Sequence, residues 1–189
     1  MRKIIVSNLI TLDGFFEGPN QELDWFVVEE EFFEYVKELF KLVDTILYGR
    51  VTFLQMASYW PTPASNENDP AITRSMNSFQ KIVFSNTLTD REVAACGWNN
   101  STLINKNIVE EVKKMKQQAG KDMVIFGSGK LINSFAAAGL IDEYRLILNP
   151  VILGKGNPLF KTGSERKDLK LVSTKTLGSG VVILVYATK

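Results

Sequence analysis

The stretch V124-I-F-G-S-G-K-L131 decides the fold of this chain. A short apolar run over 123–126 predicts a buried strand, and Gly127-Ser128-Gly129 follows it at once. Beyond the glycines, apolar residues recur at helical spacing up to Gly139. The pattern therefore predicts a strand, a glycine turn and a helix.

A turn of this kind is suited to phosphate. The start of a helix presents unpaired N–H groups and the positive end of the helix dipole, and glycines let a phosphate come close to the backbone. A second stretch has the same form, with a strand over 45–48, a turn at Gly49 and a helix that opens at Arg50. Two such turns with a cationic side chain point to a ligand with more than one phosphate. The alternative is a pair of ordinary α/β turns that bind nothing.

The glycine pattern is not that of an ordinary dinucleotide-binding domain. The third glycine of G-x-G-x-x-G is replaced by Ile132, and the pattern lies late in the chain instead of on the first strand–helix unit. A different α/β arrangement is therefore expected.

Length and composition narrow the class of protein. The 189 residues suit one domain spanning 1–189, and the 45% hydrophobic content supports a substantial core. The net charge of +1 gives no strong field that favours nucleic acid or an anionic membrane. Since no apolar run approaches the length of a membrane span, we expect a cytoplasmic protein.

Histidine is absent and Cys96 is the only cysteine. Catalytic sites that depend on histidine and zinc sites bound by histidine are thereby excluded. We interpret Cys96, which follows two alanines, as a small hydrophobic residue, and we expect no metal. If the chain is an enzyme, an organic cofactor carries the difficult chemistry.

Hydrophobic periodicity predicts the remaining elements. Strands are expected at 3–9, 44–48, 81–85, 101–104, 122–126, 143–153 (broken by Pro150), 169–176 and 181–188. Helices are expected at 29–41, 50–57, 70–79 and about 108–119, with a polar loop at 61–68. Early strand–helix alternation followed by a terminal antiparallel hairpin predicts an α/β fold with a mixed, mostly parallel sheet flanked by helices.

This order of elements resembles the dihydrofolate reductase fold, and most of all the family related to the C-terminal reductase domain of the bifunctional riboflavin deaminase-reductase. The stretches that carry the resemblance are LDGFFEG (12–18), ILYGRVTF (46–53), KIVFSNTL (81–88), VIFGSGKL (124–131) and GLIDEYRLILNPVILGKGNPLF (139–160). The resemblance covers nearly the whole chain. It implies an NADPH-dependent reductase that is usually dimeric.

The resemblance also implies a set of cofactor-binding positions. They match a Gly-Arg-x-Thr phosphate turn, the end of a strand that meets the adenosine 2′-phosphate, and a glycine turn that cradles the pyrophosphate. The matching residues are Gly49, Arg50, Thr52, Ser85, Asn86, Gly127, Ser128, Gly129, Lys130 and Leu131. No carboxylate ends the third strand to bind a free ribose hydroxyl, which favours NADPH over NADH. The bond that matches Gly127–Ser128 is cis in dihydrofolate reductases, and both isomers stay open here.

Substrate-binding positions match less well. Riboflavin-pathway reductases have an arginine near the position of Phe40 and a glutamate at the position of Gly127, and both serve the phosphoribosyl substrate. We therefore expect that substrate to be poor. Dihydrofolate reductases bind the pterin ring with a carboxylate of the first helix, but Glu30, Glu31 and Glu34 cannot be aligned with it individually.

Three residues near the first strand are candidates for the reaction centre. Asp13 is a candidate proton relay, and the alternative is an Asx turn into Gly14. Phe16 and Trp25 are predicted to wall the nicotinamide pocket, with a place in the core as the alternative.

The leading hypothesis is hydride transfer from NADPH to a C=N or C=O bond of a pteridine- or pyrimidine-like heterocycle. A dihydrofolate reductase proper and a nucleotide-binding module without turnover are the alternatives. A homodimer is expected, because the chain has 12 phenylalanines and the segment 141–160 is more apolar than one sheet edge requires.

Overall fold

The structure, a computed structural model, describes residues 1–161, 163 and 165–189. Its strands are β1 (Ile4–Ile10), β2 (Phe15–Glu17), β3 (Val43–Gly49), β4 (Gln80–Phe84), β5 (Ser101–Ile104), β6 (Asp122–Ile125), β7 (Glu143–Leu148), β8 (Asn157–Pro158), β9 (Leu169–Thr176) and β10 (Val182–Thr188). Its helices are α1 (Glu30–Leu42), α2 (Arg50–Ala57), α3 (Pro63–Asn68), α4 (Pro70–Ser78), α5 (Asp90–Ala95), α6 (Ile108–Gln117) and α7 (Gly129–Ala137).

Eight strands form one sheet in the order β5-β4-β3-β6-β1-β7-β10-β9. The first six are parallel to one another, while β10 runs antiparallel to both β7 and β9. The turn between β9 and β10 is closed by a hydrogen bond from the Gly180 N–H to the Leu177 carbonyl oxygen, 3.0 Å long. The predicted mixed, mostly parallel sheet with a C-terminal antiparallel hairpin is confirmed.

The central strands of the sheet are buried on both faces, whereas the edge strand β9 is exposed. Along β1, Ile4 packs in a cluster with Phe135 of α7, whereas Ile5 packs on the opposite face in a cluster with Leu39 of α1. Successive strand residues point to opposite faces, so one continuous apolar strand can serve both layers. The described part of the chain contains no helix with the length and apolar character needed to cross a bilayer.

Several predicted helix boundaries are confirmed. The helix that opens at Arg50 ends at Ala57, as the sequence predicts. The Asp69 side chain caps α4 by accepting hydrogen bonds from the N–H groups of Ala71 and Ile72, and Pro70 takes the first helical position. Gly139 follows α7 with a φ of 65°, a left-handed conformation that glycine adopts without cost.

Other predictions were wrong in detail. The predicted loop 61–68 contains α3, which starts at a proline and is held by the Ser65 hydroxyl donating to the carbonyl oxygens of Trp60 and Thr62. Helix α5 was not predicted, although Thr89 and Glu92 form a capping box at its start. The predicted long strand 143–153 ends at Leu148, because Pro150 has no N–H to continue the ladder.

Lys81 of β4 is fully buried. Its ammonium group donates to the carbonyl oxygens of Met76 and Asn77, at 3.2 and 3.0 Å, where α4 ends. The same group lies 4.8 Å from the centre of the Trp98 ring, and no described carboxylate pairs with it. Burial lowers the pKa of Lys81 from 10.5 to about 8.

The free energy of unfolding should therefore rise with pH above about 8. The unfolded chain keeps a proton on Lys81 up to its ordinary pKa of 10.5, while the folded chain has already lost it, so higher pH favours folding. We expect a gain of about 1 kcal/mol between pH 7 and pH 9 from this group. Urea unfolding at both pH values should show the gain in the wild type and in the exposed-lysine control Lys113→Met. Lys81→Met should lack it, and an unchanged pH dependence in that variant would contradict the assignment.

Candidate active site

Two glycine turns meet at one edge of the sheet. Strands β3 and β6 are parallel neighbours, so their carboxyl ends lie side by side and α2 and α7 begin next to each other. A Cβ atom at Gly49 would overlap the Ser128 hydroxyl, and one at Gly127 would lie 3.3 Å from Cγ2 of Thr52. The two turns are therefore packed directly against each other, and a side chain at Gly49 would require the Ser128 side chain to move.

The second turn has an unusual backbone. Gly127 and Ser128 both have left-handed φ angles, 71° and 66°, and the peptide bond between them is trans. The sequence left the isomer of the Gly127–Ser128 peptide bond open, and in the structure it is the common trans form. Among the described residues, no hydrogen bond engages the N–H groups of residues 128 to 131, as expected for the first turn of a helix. The turn is fixed instead from β1, where Asn8 Oδ1 accepts a 2.9 Å hydrogen bond from the Gly127 N–H.

A cavity of about 400 Å³ opens beside the two turns. Nine of the ten residues predicted to bind the cofactor line it, namely Gly49, Arg50, Thr52, Ser85, Asn86, Ser128, Gly129, Lys130 and Leu131. Gly127, the tenth, lines the neighbouring cavity. Arg50 and Lys130 are exposed cations at this wall. The cavity is thus a cationic cleft between two helix N-termini, an arrangement that attracts phosphate.

The first cavity also has apolar lining residues. They are Phe84, Ile108 and Phe135, which sequence analysis did not select. Ser85 is largely committed to the local turn, because its hydroxyl oxygen accepts hydrogen bonds from the N–H groups of Thr87 and Leu88, both 3.1 Å long. A flat apolar ring and a phosphate chain can therefore be accommodated along the same cleft.

A second cavity, of about 270 Å³, lies on the other side of Phe16 and Glu17. It is bounded by α1, α2 and α4 through Phe40, Met56 and Met76. Phe16, Glu17, Thr52, Gln55 and Ser128 line both cavities. The two spaces therefore meet at the strand β2 and the start of α2.

Phe16 lies against the glycine turn. A Cβ atom at Gly129 would come within 2.8 Å of its ring, so the glycine leaves room for the aromatic side chain. The prediction that Phe16 walls the reaction centre is consistent with its position between the two cavities. Trp25 lines neither cavity. Its ring packs edge-on against Phe26, at 4.5 Å between ring centres, and Phe26 lines the second cavity in its place.

Asp13 also lies outside both cavities, with an exposed side chain. Its carboxylate accepts hydrogen bonds from the Thr11 hydroxyl, at 2.6 Å, and from the N–H groups of Leu153 and Gly154. The Thr11 hydrogen bond lowers the pKa of Asp13, with help from the two backbone donors. The carboxylate therefore joins two loops; it forms no Asx turn, because the Phe15 N–H donates to the Thr11 hydroxyl oxygen instead.

Glu17 is the carboxylate that sequence analysis missed. Within the described part of the chain it is the only acidic residue that lines either cavity, and Asn157 of β8 donates a 2.8 Å hydrogen bond to its Oε1. Asn8 was missed as well. Neither had a local signal, because their partners lie 140 and 119 residues away in the chain.

The first-helix glutamates do not reach the second cavity. Glu31 accepts a 2.6 Å hydrogen bond from the Gly178 N–H, and Glu34 pairs with Lys37 at 3.0 Å. Within the described ranges, no group of three or more Cys, Asp or Glu side chains is placed to hold a metal ion.

Comparison with known proteins agrees with this geometry. The fold is that of the dihydrofolate reductases: a dihydrofolate reductase from Enterococcus faecalis, complexed with NADP(H), matches with a TM-score of 0.65 at 14% identity, over 99% of this chain and 96% of its own. A putative riboflavin biosynthesis protein from Shewanella sp. PV-4 matches with a TM-score of 0.76 at 23% identity, over 99% of both chains.

Residues 2–183 match the model of the RibD C-terminal domain, and the chain belongs to that reductase-like family. It is also 40% identical to the uncharacterized protein YyaP of Bacillus subtilis (strain 168), over 98% of this chain and 94% of the relative. The resemblance stated from the sequence motifs is confirmed.

The contact between the two turns can be tested by substitution. Gly49→Ala should lower the free energy of unfolding by about 1–3 kcal/mol, because the new methyl group overlaps the Ser128 hydroxyl. Ser128→Gly should be tolerated, since position 128 has a left-handed backbone that glycine prefers. The double variant Gly49→Ala/Ser128→Gly should recover most of the loss in urea unfolding. Simple additivity of the two single changes would show that the turns do not touch.

Proposed function

We propose that this protein is an NADPH-dependent reductase that transfers hydride to a small heterocyclic substrate in a riboflavin-reductase-like manner. The observation that carries the proposal is the meeting of two glycine turns, with unpaired N–H groups beside Arg50, at the mouth of a cavity. The family and the dihydrofolate reductase fold support the same cofactor.

The residues present fit this cofactor. The N–H groups at the start of α7 and the side chain of Arg50 suit its phosphates, and the half-buried Ile108 offers apolar surface to its adenine. When bound, NADPH supplies the hydride. Phe16 and Thr52, which line both cavities, would hold the nicotinamide end beside the second cavity.

Glu17 is the side chain we assign to proton transfer, replacing the assignment of Asp13. Its Oε1 is held by Asn157, so the other carboxyl oxygen is available at the junction. There the carboxylate would take a proton from solvent at the open mouth of the cleft and pass it to a substrate nitrogen or oxygen, which leaves it a carboxylate again. The apolar walls exclude water from the second cavity and orient the ring.

The two alternatives are less well supported. A dihydrofolate reductase proper would use a first-helix carboxylate, and none of those side chains lines the second cavity. A binding module without turnover gives no reason for a carboxylate at the junction.

A homodimer remains part of the proposal, supported by the family resemblance and by the exposed side chains of Ile152 and Phe160 in the apolar segment 141–160.

The cofactor proposal is tested by equilibrium binding. The protein should bind NADPH more tightly than NADH, and Arg50→Ala should weaken NADPH binding by about tenfold to a hundredfold, the value of one charge-assisted hydrogen bond. Arg74→Ala, which removes an exposed arginine of α4 outside both cavities, is the matched control and should bind like the wild type. Equal affinity of the wild type for NADPH and NADH would contradict the proposal.

The role of Glu17 is tested by steady-state kinetics of NADPH oxidation with 7,8-dihydropterin. Glu17→Gln keeps the size of the side chain but removes the proton donor, and kcat should fall by about a hundredfold or more. The NADPH dissociation constant should stay within about twofold. Glu22→Gln, at an exposed position nearby, should leave both quantities unchanged. If Glu17→Gln keeps the wild-type kcat, water and not Glu17 donates the proton. If the wild type oxidises no NADPH, the result favours the alternative of a nucleotide-binding module without turnover.

A further inference from the structure

The second cavity has a lining that does not suit a charged or phosphorylated substrate. Seven of its side chains are aromatic rings, among them Phe33, Phe40, Phe126 and Trp60. Among the residues that the structure describes, no lysine, arginine or tyrosine lines it, and Glu17 is its only charged group. The rings present flat apolar walls, against which another aromatic ring packs favourably.

A phosphate in this cavity would have no counter-ion. Moving an anion out of water without a partner charge costs many kcal/mol. The only charge that it would meet, the carboxylate of Glu17, has the same sign. Arg50 and Lys130 line the first cavity and not the second, and we expect them to pair with the cofactor phosphates there.

One polar donor is available inside the cavity. Asn8 is 5% exposed and lines the second cavity. Its Oδ1 is occupied by the Gly127 N–H, which fixes the amide orientation, and among the described residues its Nδ2 donates to no partner. An amide N–H₂ that reaches the cavity without a protein partner can donate to a ligand there, and a ring C=O or C=N group is a suitable acceptor.

We infer, resting on the proposed function, that the substrate is a neutral, flat compound of one or two rings without phosphate or carboxylate. Its carbonyl or imine group faces Asn8, and its rings lie between the aromatic walls. The volume of about 270 Å³, slightly below the usual range for ligand pockets, limits it to that size. The site thus differs from one that accepts a phosphoribosyl pyrimidine.

A matched pair of probes tests this inference without turnover. Equilibrium dialysis should compare 2-naphthol with 2-naphthyl phosphate on protein saturated with NADP⁺, so that the phosphate-binding turns are already occupied. The neutral compound should bind at least about tenfold more tightly. Glu17→Gln should improve binding of the phosphate but leave 2-naphthol within about twofold, because only the anion meets the carboxylate.

Two further variants locate the probe. Val36 of α1 lines the second cavity, and Val36→Trp should fill the space and weaken 2-naphthol binding by about tenfold or more. Leu54→Trp adds the same ring on α2 outside both cavities and should bind 2-naphthol like the wild type. Circular dichroism of each variant checks that it is folded.

The outcomes separate this inference from the proposed function. If NADP⁺ binds but 2-naphthyl phosphate binds as tightly as 2-naphthol, or Val36→Trp leaves 2-naphthol unaffected, the inference is overturned and the cofactor proposal stands. If NADP⁺ itself does not bind, the proposed function fails, while 2-naphthol binding that Val36→Trp still weakens would keep the second cavity as a site for neutral rings.

Discussion

The contact between the glycine turns after β3 and β6 is the constraint on which the candidate site depends. Parallel neighbouring strands bring their carboxyl ends to one edge, so α2 and α7 start side by side. In this packing the Ser128 hydroxyl occupies the space where a side chain at Gly49 would lie. Two positive helix ends then point into one cleft, an arrangement that is unfavourable alone and is relieved by an anion.

The loop after β1 divides the cleft into two chemically different spaces. On one side are unpaired N–H groups and the cations Arg50 and Lys130, and on the other are aromatic walls. Strand β2 lies between them and is paired with β8, where Asn157 holds Glu17. This short two-stranded sheet therefore positions both the ring that separates the cavities and the carboxylate at their junction.

Much of the architecture could be predicted because its signals are local. The start of α2 at Arg50 and the cap of α4 at Asp69 each depend on residues within a few positions. Helix α5 had such a signal in the spacing of Thr89 and Glu92, which was overlooked. Asp13 is the opposite case, since its position after a strand and before a glycine does not say on which side of the loop its carboxylate lies.

By itself the sequence determined the order of strands and helices, the two glycine turns and the family, because periodicity, turn residues and motifs are properties of neighbouring residues. Only the tertiary structure decided which side chains share a cavity. Asn8 meets Gly127, and Glu17 meets Asn157, across more than a hundred residues of chain, so no local pattern records either pair. The same long-range packing placed Phe26 in the second cavity and Trp25 outside it, although the two residues are adjacent, because neighbouring side chains point in different directions.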